Sequence, residues 1–230
     1  MPPPPRPARG WTPGSLLAAL SPTAAGALLS LGRPRTVDNG DLILVEGDEG
    51  TRVELITDGY CKVSMLTEDG HKVLMAVRGP GDVVGELAAL SGNRRSATVQ
   101  ASGPVSLITI AGPAFQHFVA DHSAAAIEVT RALGKRLTWS NRRRADAAAY
   151  SAEVRLARLL TDLAEICGCP TPDGIELGVP LTQDELASMI GAGLPTVQRA
   201  LAAFRRAGLV GTGYRRIVIV DPEALVRTRS

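Results

Sequence analysis

The sequence predicts an α+β protein with an N-terminal β-roll (jelly roll), a long central helix and a C-terminal winged helix-turn-helix. Three observations predict this class. Short apolar runs alternate with Gly-containing turns between residues 37 and 110, and an Ala-, Leu- and Arg-rich stretch without such turns follows. Near the C-terminus, a capped pair of helices precedes a predicted β-hairpin.

Length and composition limit the class of protein. A chain of 230 residues favours two domains, and 45% apolar with only 3% aromatic residues predicts cores of Ala, Leu, Val and Ile. The net charge of +2 by itself predicts no polyanionic partner. The three cysteines do not make a disulfide framework, no apolar run approaches the roughly 18 residues of a membrane span, and the Pro-rich start is unlike a signal peptide. We therefore expect a cytoplasmic protein with no membrane partner.

Four segments are predicted along the chain. Residues 1–13 carry six prolines and no apolar period, which predicts a disordered tail. Residues 14–122 form the β-roll domain, which begins with two short helices separated at Ser21-Pro22. Residues 123–149 form the central helix, and residues 150–230 form the winged helix-turn-helix domain, with a loop at residues 168–174.

The central helix is predicted to be a dimerisation helix. Ile127, Leu133 and Leu137 fit one face of a helix within the Ala-rich stretch 113–148, and such a face can pair with a copy of itself.

Residues 85–97 contain the groups needed to hold a sugar and a phosphate together. Arg95 offers a planar fork of charged donors for phosphate oxygens, and Glu86 can accept hydrogen bonds from a ribose hydroxyl. The small residues between them form a short turn whose backbone N–H groups can converge on the same anion.

The segment 181–220 predicts a second site. Thr182-Gln183-Asp184-Glu185 is a capping box that begins a helix, which ends at Gly191-Ala192-Gly193 after burying Leu186, Met189 and Ile190. A second helix begins near Pro195, with a buried stripe of Val197, Leu201 and Phe204. Its opposite face carries Thr196, Arg199, Ala203 and Arg206, and residues 208–220 predict a β-hairpin wing.

This arrangement predicts DNA binding. An arginine on a groove-entering helix makes bidentate contacts to guanine, and no acidic residue lies between Arg199 and Arg216. The alternative is an ordinary helical hairpin with a solvated basic face.

With both sites in view, the chain from about residue 15 to 225 resembles the cyclic AMP receptor protein / FNR family of bacterial transcription regulators. The resemblance implies that Gly85 and Glu86 hold the ribose, with Glu86 on the 2′-hydroxyl, and that Arg95 and Ser96 hold the cyclic phosphate. It also implies that Ser140 and Asn141 reach the purine, one of them from the partner subunit. The candidate ligand-binding residues are Gly85, Glu86, Leu87, Arg95, Ser96, Ala97, Ser140 and Asn141. The alternative for Ser140 and Asn141 is a polar pair that sets the register of the dimer without a ligand.

The resemblance also implies which residues contact DNA. The candidate DNA-binding residues are Thr182, Leu194, Thr196, Gln198, Arg199, Arg205 and Arg206. Leu194 and Pro195 replace the Arg-Glu pair of the best-known members, so we expect a different operator sequence. Ser140 in place of Thr leaves the choice of base open.

The implied protein is a homodimeric transcription regulator whose cyclic-nucleotide-binding β-roll takes cyclic AMP as its effector. The expected partners are double-stranded DNA with a palindromic operator, the cyclic nucleotide, a second copy of the chain and, with no surface assigned, RNA polymerase. One alternative keeps the DNA reader with another effector or none. A second alternative is a nucleotide-sensing module that binds proteins and no DNA.

Other chemistry is disfavoured. No nucleophile has an assigned base, so we expect no enzyme, no cofactor and no metal site. Cys167-Gly-Cys169 is expected to be structural rather than a thiol switch or half a metal site, and His71 is expected in an exposed turn rather than on haem. Arg142, Arg143 and Arg144 are expected on a solvated helix surface, with the rim of the ligand pocket as the alternative.

Overall fold

The N-terminal sheet is antiparallel and is built around two long strands. In chain order this part contains α1 (Leu16–Ala19), α2 (Pro22–Ser30), β1 (Arg33–Val37), β2 (Leu42–Leu44), β3 (Val53–Leu66), β4 (Lys72–Arg78), β5 (Val83–Val84), α3 (Glu86–Ser91) and β6 (Thr98–Ile110). The strand order is β1-β6-β3-β4, with β2 paired to β6 and β5 paired to β3. The structure, a computed structural model, describes residues 10–228.

The predicted β-roll is confirmed. The register between β3 and β6 shifts on both sides of Asp58, where Gly59 adopts a φ of +79°. A Cβ at Gly59 would lie 2.3 Å from the Pro104 carbonyl oxygen, so only glycine fits this bend. One apolar cluster is made only of strand residues, which shows that the bent sheet encloses it: Val37, Ile43, Leu44, Ile56, Cys61, Val84, Val99, Ala101, Val105 and Leu107.

Helices cover the second apolar cluster of this domain. Leu16, Leu28 and Phe115 from three different helices pack with Leu55 and Ile108 from the sheet. The chain then continues through α4 (Gly112–Asp121) and α5 (Ser123–Ala149). The Ala-rich stretch therefore forms two helices, which are separated at His122.

The start of the folded chain lies earlier than the sequence predicts. Most of the predicted tail, residues 1–9, lies outside the described residues. Residues 10–13 are described, and here Thr12 is buried and its N–H donates to Pro80 O at 2.7 Å. Trp11 packs against the helix-covered cluster, so residues 11–13 belong to the folded domain and not to a disordered tail.

The C-terminal part is a helix-turn-helix with a small antiparallel sheet. It contains α6 (Ala152–Cys167), β7 (Gly168–Thr171), β8 (Gly174–Leu177), α7 (Gln183–Ile190), α8 (Leu194–Arg206), β9 (Val210–Gly213), β10 (Arg216–Ile219) and α9 (Pro222–Arg227). The strand order is β7-β8-β10-β9, so the predicted wing (β9 and β10) is half of a four-stranded sheet.

The loop predicted at residues 168–174 is wrong. These residues form β7, the turn Pro172-Asp173 and the start of β8, which pairs with β10 through Ile175↔Ile219. Pro170 lies on β7, an edge strand of this sheet, where its missing N–H leaves no ladder position empty.

The described residues divide into two compact units. The first holds residues 10–65 and 77–136, and the second holds residues 66–76 and 137–228, with the division inside α5 after Arg136. Within residues 10–228, no helix combines the length and the apolar character that a membrane crossing needs.

Helix α5 has the predicted length, but one residue of its predicted seam faces elsewhere. Ile127 and Leu137 are 55% and 62% exposed, whereas Leu133 packs against the helix-covered core of its own domain. Leu133 was predicted on the same face as the other two, and this is wrong. Ala125, Val129, Leu133 and Arg136 follow the inward face of α5, at spacings of three and four residues.

A buried carboxylate joins β1, β3 and β6. Glu54 is fully buried and accepts hydrogen bonds from Arg35 Nη2 at 2.8 Å, Arg52 Nε at 3.1 Å and Thr109 Oγ1 at 2.7 Å. Arg52 also donates through Nη2 to Ile43 O at 2.6 Å. Because a buried charge is stable only when it is paired and hydrogen-bonded, this network fixes the conformation of Arg52.

We predict that Glu54→Gln lowers the free energy of unfolding by about 2 kcal/mol, because it leaves two arginines without their shared counterion. Glu49→Gln is the matched control. It removes a Glu–Arg pair at 2.5 Å whose side chains, Glu49 and Arg94, are 79% and 66% exposed. Denaturant unfolding of both variants tests this, with a loss of less than about 0.5 kcal/mol for the control. Equal losses would contradict the role assigned to Glu54.

Candidate functional site

The segment predicted to bind the ribose and phosphate is a short helix followed by a loop. The structure places α3 where a turn of small residues was predicted, and Gly85 precedes it with a φ of +84°. A Cβ at Gly85 would lie 2.6 Å from Arg95 Nη1 and 2.9 Å from Arg52 O. Glycine is therefore required here both for the backbone conformation and for the close approach of Arg95.

Arg95 is a buried cation with uncharged partners. It is 5% exposed, and its guanidinium donates from Nη1 to Gly85 O at 3.0 Å and from Nη2 to Arg52 O at 2.7 Å. Within residues 10–228 it makes no salt bridge. Burial, and then the neighbouring charge of Arg52, lower the pKa of Arg95. An arginine stays charged even so, and an anion beside it would offset the cost of burying that charge.

Glu86 is a buried carboxylate that already has one cationic partner. It is the first residue of α3 and is 3% exposed. Arg136 of α5 donates from Nη1 to Glu86 Oε1 at 2.5 Å and from Nη2 to Val83 O at 2.7 Å, and its Nη2 lies 3.7 Å from Asp82 Oδ1. Arg136 therefore holds the carboxylate in one orientation.

The sequence reasoning missed this role of Arg136, which was only counted among the basic residues of α5. The spacing of Arg136 along the helix could have revealed this role. Arg136 follows Val129 and Leu133 at seven and three residues, which places it on the inward face of the helix. A buried cation needs an acidic partner, and Glu86 lies in the predicted ligand-binding segment, with Asp82 just before it.

The other predicted ligand residues of the first unit lie around these charges. Leu87 is 48% exposed on α3, Ser96 is exposed next to Arg95, and Ala97 is half-buried immediately before β6. Gln116 of α4 donates from Nε2 to Ala89 O at 2.5 Å, which anchors the last turn of α3. The structure thus brings Gly85, Glu86 and Arg95 together on a supported helix start.

Ser140 and Asn141 belong to the second unit. Ser140 is half-buried, Asn141 is exposed, and Asn141 Oδ1 accepts a hydrogen bond from Arg144 one turn further along α5. Their contact with a purine stays a prediction.

The arginines that follow Asn141 are not simply solvated. Arg142 pairs with Asp162 of α6, which also accepts from Trp139 Nε1 at 2.9 Å. Arg143 stacks over the Trp139 ring at 4.5 Å and donates to Met75 O at 3.0 Å. Burial lowers the pKa of Arg143 to about 10. Arg142 and Arg144 are exposed as predicted, so the prediction is wrong only for Arg143, which is half-buried.

The helix-turn-helix forms as the sequence predicts. Thr182 Oγ1 accepts from Glu185 N at 3.1 Å, and Glu185 Oε2 accepts from Thr182 N at 2.8 Å, which completes the capping box. Gly191 ends α7 with a φ of +61°. Arg155 of α6 donates to Ile190 O at 2.7 Å, so it satisfies a carbonyl that the helix end leaves free.

Helix α8 buries one face and exposes four of its six predicted DNA-binding residues on the other. Val197, Leu201 and Phe204 are at most 2% exposed. On the outer side, Gln198, Arg199, Arg205 and Arg206 are exposed, while Leu194 and Thr196 are half-buried. Arg199 Nη2 lies 3.4 Å from Thr196 Oγ1, and Arg205 Nη1 donates to Thr212 Oγ1 on β9 at 3.0 Å. The helix therefore presents three arginines on its exposed surface.

The residues considered for other chemistry have structural surroundings. Cys167 is buried and donates to Leu163 O, and burial raises the pKa of its thiol to about 12. His71 lies in an exposed turn after β3, and its Nε2 is 3.6 Å from Asp69 Oδ2. Across residues 10–228, no cluster of three His, Cys, Asp or Glu side chains forms a possible metal site.

Both the N-terminal and the C-terminal domain match a known protein family. Residues 34–122 match the cyclic nucleotide-binding domain, and residues 154–228 match the Crp-like helix-turn-helix domain. The chain is similar to a CRP-like cAMP-activated global transcriptional regulator of Mycobacterium tuberculosis, with 28% identity covering 92% of this chain and 95% of that protein. It is also 28% identical to a global nitrogen regulator of Synechococcus elongatus, over 82% of this chain and 86% of that one.

A solved structure agrees with these matches. A CRP-family transcriptional regulator of Thermus thermophilus superposes with a TM-score of 0.71 at 26% identity, covering 85% of this chain and 96% of that one. The two domains, their order and their near-complete coverage lead to one assignment. The chain belongs to the cyclic AMP receptor protein / FNR (CRP/FNR) family, whose members are transcription regulators and not enzymes.

Proposed function

We propose that the protein is a cytoplasmic, homodimeric, DNA-binding transcription regulator that is controlled by cyclic AMP bound in the β-roll. The observation that carries the proposal is Arg95. A buried guanidinium with only backbone carbonyls as partners is suited to an anion, and two hydrogen bonds leave three of its five N–H donors for phosphate oxygens.

The ribose has a matching acceptor. Arg136 occupies Glu86 Oε1, and within the described chain no protein group donates to Oε2. That oxygen is therefore available for a ribose 2′-hydroxyl, in a carboxylate whose orientation is already set. A phosphate donor set and a ribose acceptor set at one helix start favour a cyclic nucleotide over a simple anion.

The choice of cyclic AMP rests on similarity. The M. tuberculosis protein is named as cAMP-activated, and it aligns with nearly all of this chain. Gly85, Glu86, Arg95 and Ser96 together match the order of groups that the family uses for the ribose and the cyclic phosphate.

We predict that Arg95→Ala weakens cyclic AMP binding at least 30-fold, because charge-assisted hydrogen bonds to the phosphate contribute about 1.5–3 kcal/mol each. Arg94→Ala is the matched control, since Arg94 is the adjacent arginine, is exposed and pairs with Glu49. Calorimetric titration gives both affinities, and circular dichroism verifies folding. Unchanged affinity in a folded Arg95→Ala protein would refute the site.

Dimerisation is proposed through α5. Ile127, Thr130, Gly134, Leu137 and Asn141 alternate at three and four residues, and all five are exposed. This is the spacing of a two-helix seam, and Gly134 permits close approach of the helices. Asn141, a predicted purine contact, lies in the same stripe, in agreement with a base held by the partner copy.

We expect Leu137→Glu to convert the protein to a monomer at micromolar concentration. Each leucine buried in a seam contributes about 1.5–3 kcal/mol, and the substitution places two carboxylates against each other. Sedimentation velocity measures the change, with Leu31→Glu as the control because Leu31 is also exposed, at 41%, but lies outside α5. A dimer that survives Leu137→Glu would exclude this seam.

DNA recognition is proposed through α8, with Arg199 contacting a base in the major groove. In a symmetric dimer, two such helices can enter successive major grooves roughly 34 Å apart, which implies a palindromic operator. Arg206, near the end of α8, is proposed to contact a phosphate.

Arg199→Ala should relax the preferred base at one operator position and weaken specific binding by about 1–3 kcal/mol. Arg206→Ala should instead weaken specific and non-specific binding alike and reduce the salt slope by about one. Fluorescence anisotropy on specific and scrambled duplexes at several salt concentrations separates the two. If Arg199→Ala weakened binding to the specific and the scrambled duplex equally, Arg199 would contact only a phosphate and not a base.

A second candidate function is a regulator of the same family whose effector is not cyclic AMP, and Asn141 is the observation that favours it. Its Oδ1 already accepts from Arg144, and Ser140 stands where the family places Thr, so recognition of adenine has weaker support than recognition of the ribose phosphate. The similar nitrogen regulator carries no nucleotide in its name. Thermal-shift screening of cyclic AMP, cyclic GMP and cyclic dinucleotides would identify the effector.

A further inference from the structure

The tip of the wing is a two-residue turn with an unusual composition. Strands β9 and β10 pair through Arg216↔Gly213, which leaves Tyr214 and Arg215 as the turn. Tyr214 is 92% exposed, in a chain that contains only three tyrosines. The Arg215 guanidinium lies 5.7 Å from its ring centre.

The backbone of this turn does not suit its residues. Arg215 has a φ of +54°, and within residues 10–228 it is the only non-glycine residue with a positive φ. Hairpin turns of two residues favour Asn and Gly because these tolerate such a conformation. An arginine held there in a strained conformation points to a function for its side chain.

The tip is attached firmly to α8. Arg205 of α8 donates to Thr212 on β9 at 3.0 Å, and Leu209 N donates to Phe204 O at 2.9 Å. Arg216 makes two hydrogen bonds to Glu176 on β8, at 2.9 and 2.8 Å. When α8 contacts DNA, the turn therefore keeps a fixed position beside it.

The charge of the tip is concentrated on one residue. Glu176 neutralises Arg216, whereas Arg215 makes no ion pair within the described chain. No acidic residue lies between Arg199 and Arg216 in the sequence, so the exposed surface that α8 and the tip contribute carries only basic charges. Such a surface suits a polyanion.

We propose that the wing tip binds the minor groove of the DNA that flanks the major groove occupied by α8. Arg215 enters an A·T-rich minor groove, and Tyr214 packs against the sugar edge. The groove is about 6 Å wide, which excludes a helix but admits a single arginine, and narrow A·T-rich segments attract that charge most strongly. This inference rests on the DNA binding proposed for α8.

The test uses the full-length protein, with and without cyclic AMP, on an operator selected by the wild-type protein from random duplexes. The flanking base pairs are made A·T, G·C or I·C. An I·C pair presents the minor-groove face of A·T and the major-groove face of G·C. We expect the wild-type protein to bind the A·T and I·C flanks about equally, and each at least five-fold more tightly than the G·C flank.

Arg215→Gly should reduce this ratio to about one. Glycine accepts the positive φ, so the variant keeps its fold, and thermal unfolding verifies that. Arg227→Ala, which removes an exposed arginine from α9, is the control and should keep the wild-type ratio.

Two results would overturn the proposal. One is an unchanged flank ratio in Arg215→Gly, and the other is an I·C flank that behaves like G·C, which would place the contact in the major groove. Failure of the proposed function has a different signature. In that case the wild-type protein selects no sequence, and Arg199→Ala changes no base preference.

Discussion

The ion pair between Glu86 and Arg136 is the contact on which the proposed switch depends. A carboxylate that is 3% exposed would be costly to bury alone, and Arg136 offsets that cost at 2.5 Å. The same bond joins the start of α3 to α5, so the proposed ribose site and the proposed dimer helix share one contact. A ligand that hydrogen-bonds Glu86 therefore acts on a residue already connected to α5.

Arg95 complements this arrangement with the opposite charge. Glu86 is buried with its counterion, whereas Arg95 is buried against Gly85 O and Arg52 O without one. The Glu54 network holds Arg52 in turn, so the Arg95 position depends on a buried carboxylate of the sheet. The resulting site has a pre-oriented acceptor and a cation that lacks a counterion, which suits a molecule carrying both a hydroxyl and an anionic phosphate.

The sequence was sufficient where local patterns decide the structure. The helix period predicted the buried stripe of Val197, Leu201 and Phe204, and the capping box at Thr182 predicted the start of α7. Sequence patterns gave wrong predictions where contacts between residues far apart in the chain determine the structure. Residues 168–174 look like a loop because of Gly and Pro, yet pairing with β10 makes them strands. Arg136 was missed because its partner lies 50 residues away in the sequence, and Leu133 because both faces of α5 carry apolar residues.

The Glu86–Arg136 pair also limits how an effector could act. Arg136 is a residue of α5, so a ligand that binds Glu86 contacts a side chain already bonded to this helix. A ligand shifts an equilibrium only through its differential affinity for two states. A nucleotide at this site would therefore change the dimer only where the Glu86–Arg136 contact differs between two arrangements of α5. A ligand that bound Glu86 and Arg95 equally well in both arrangements would bind tightly and still leave the DNA-binding helices unchanged.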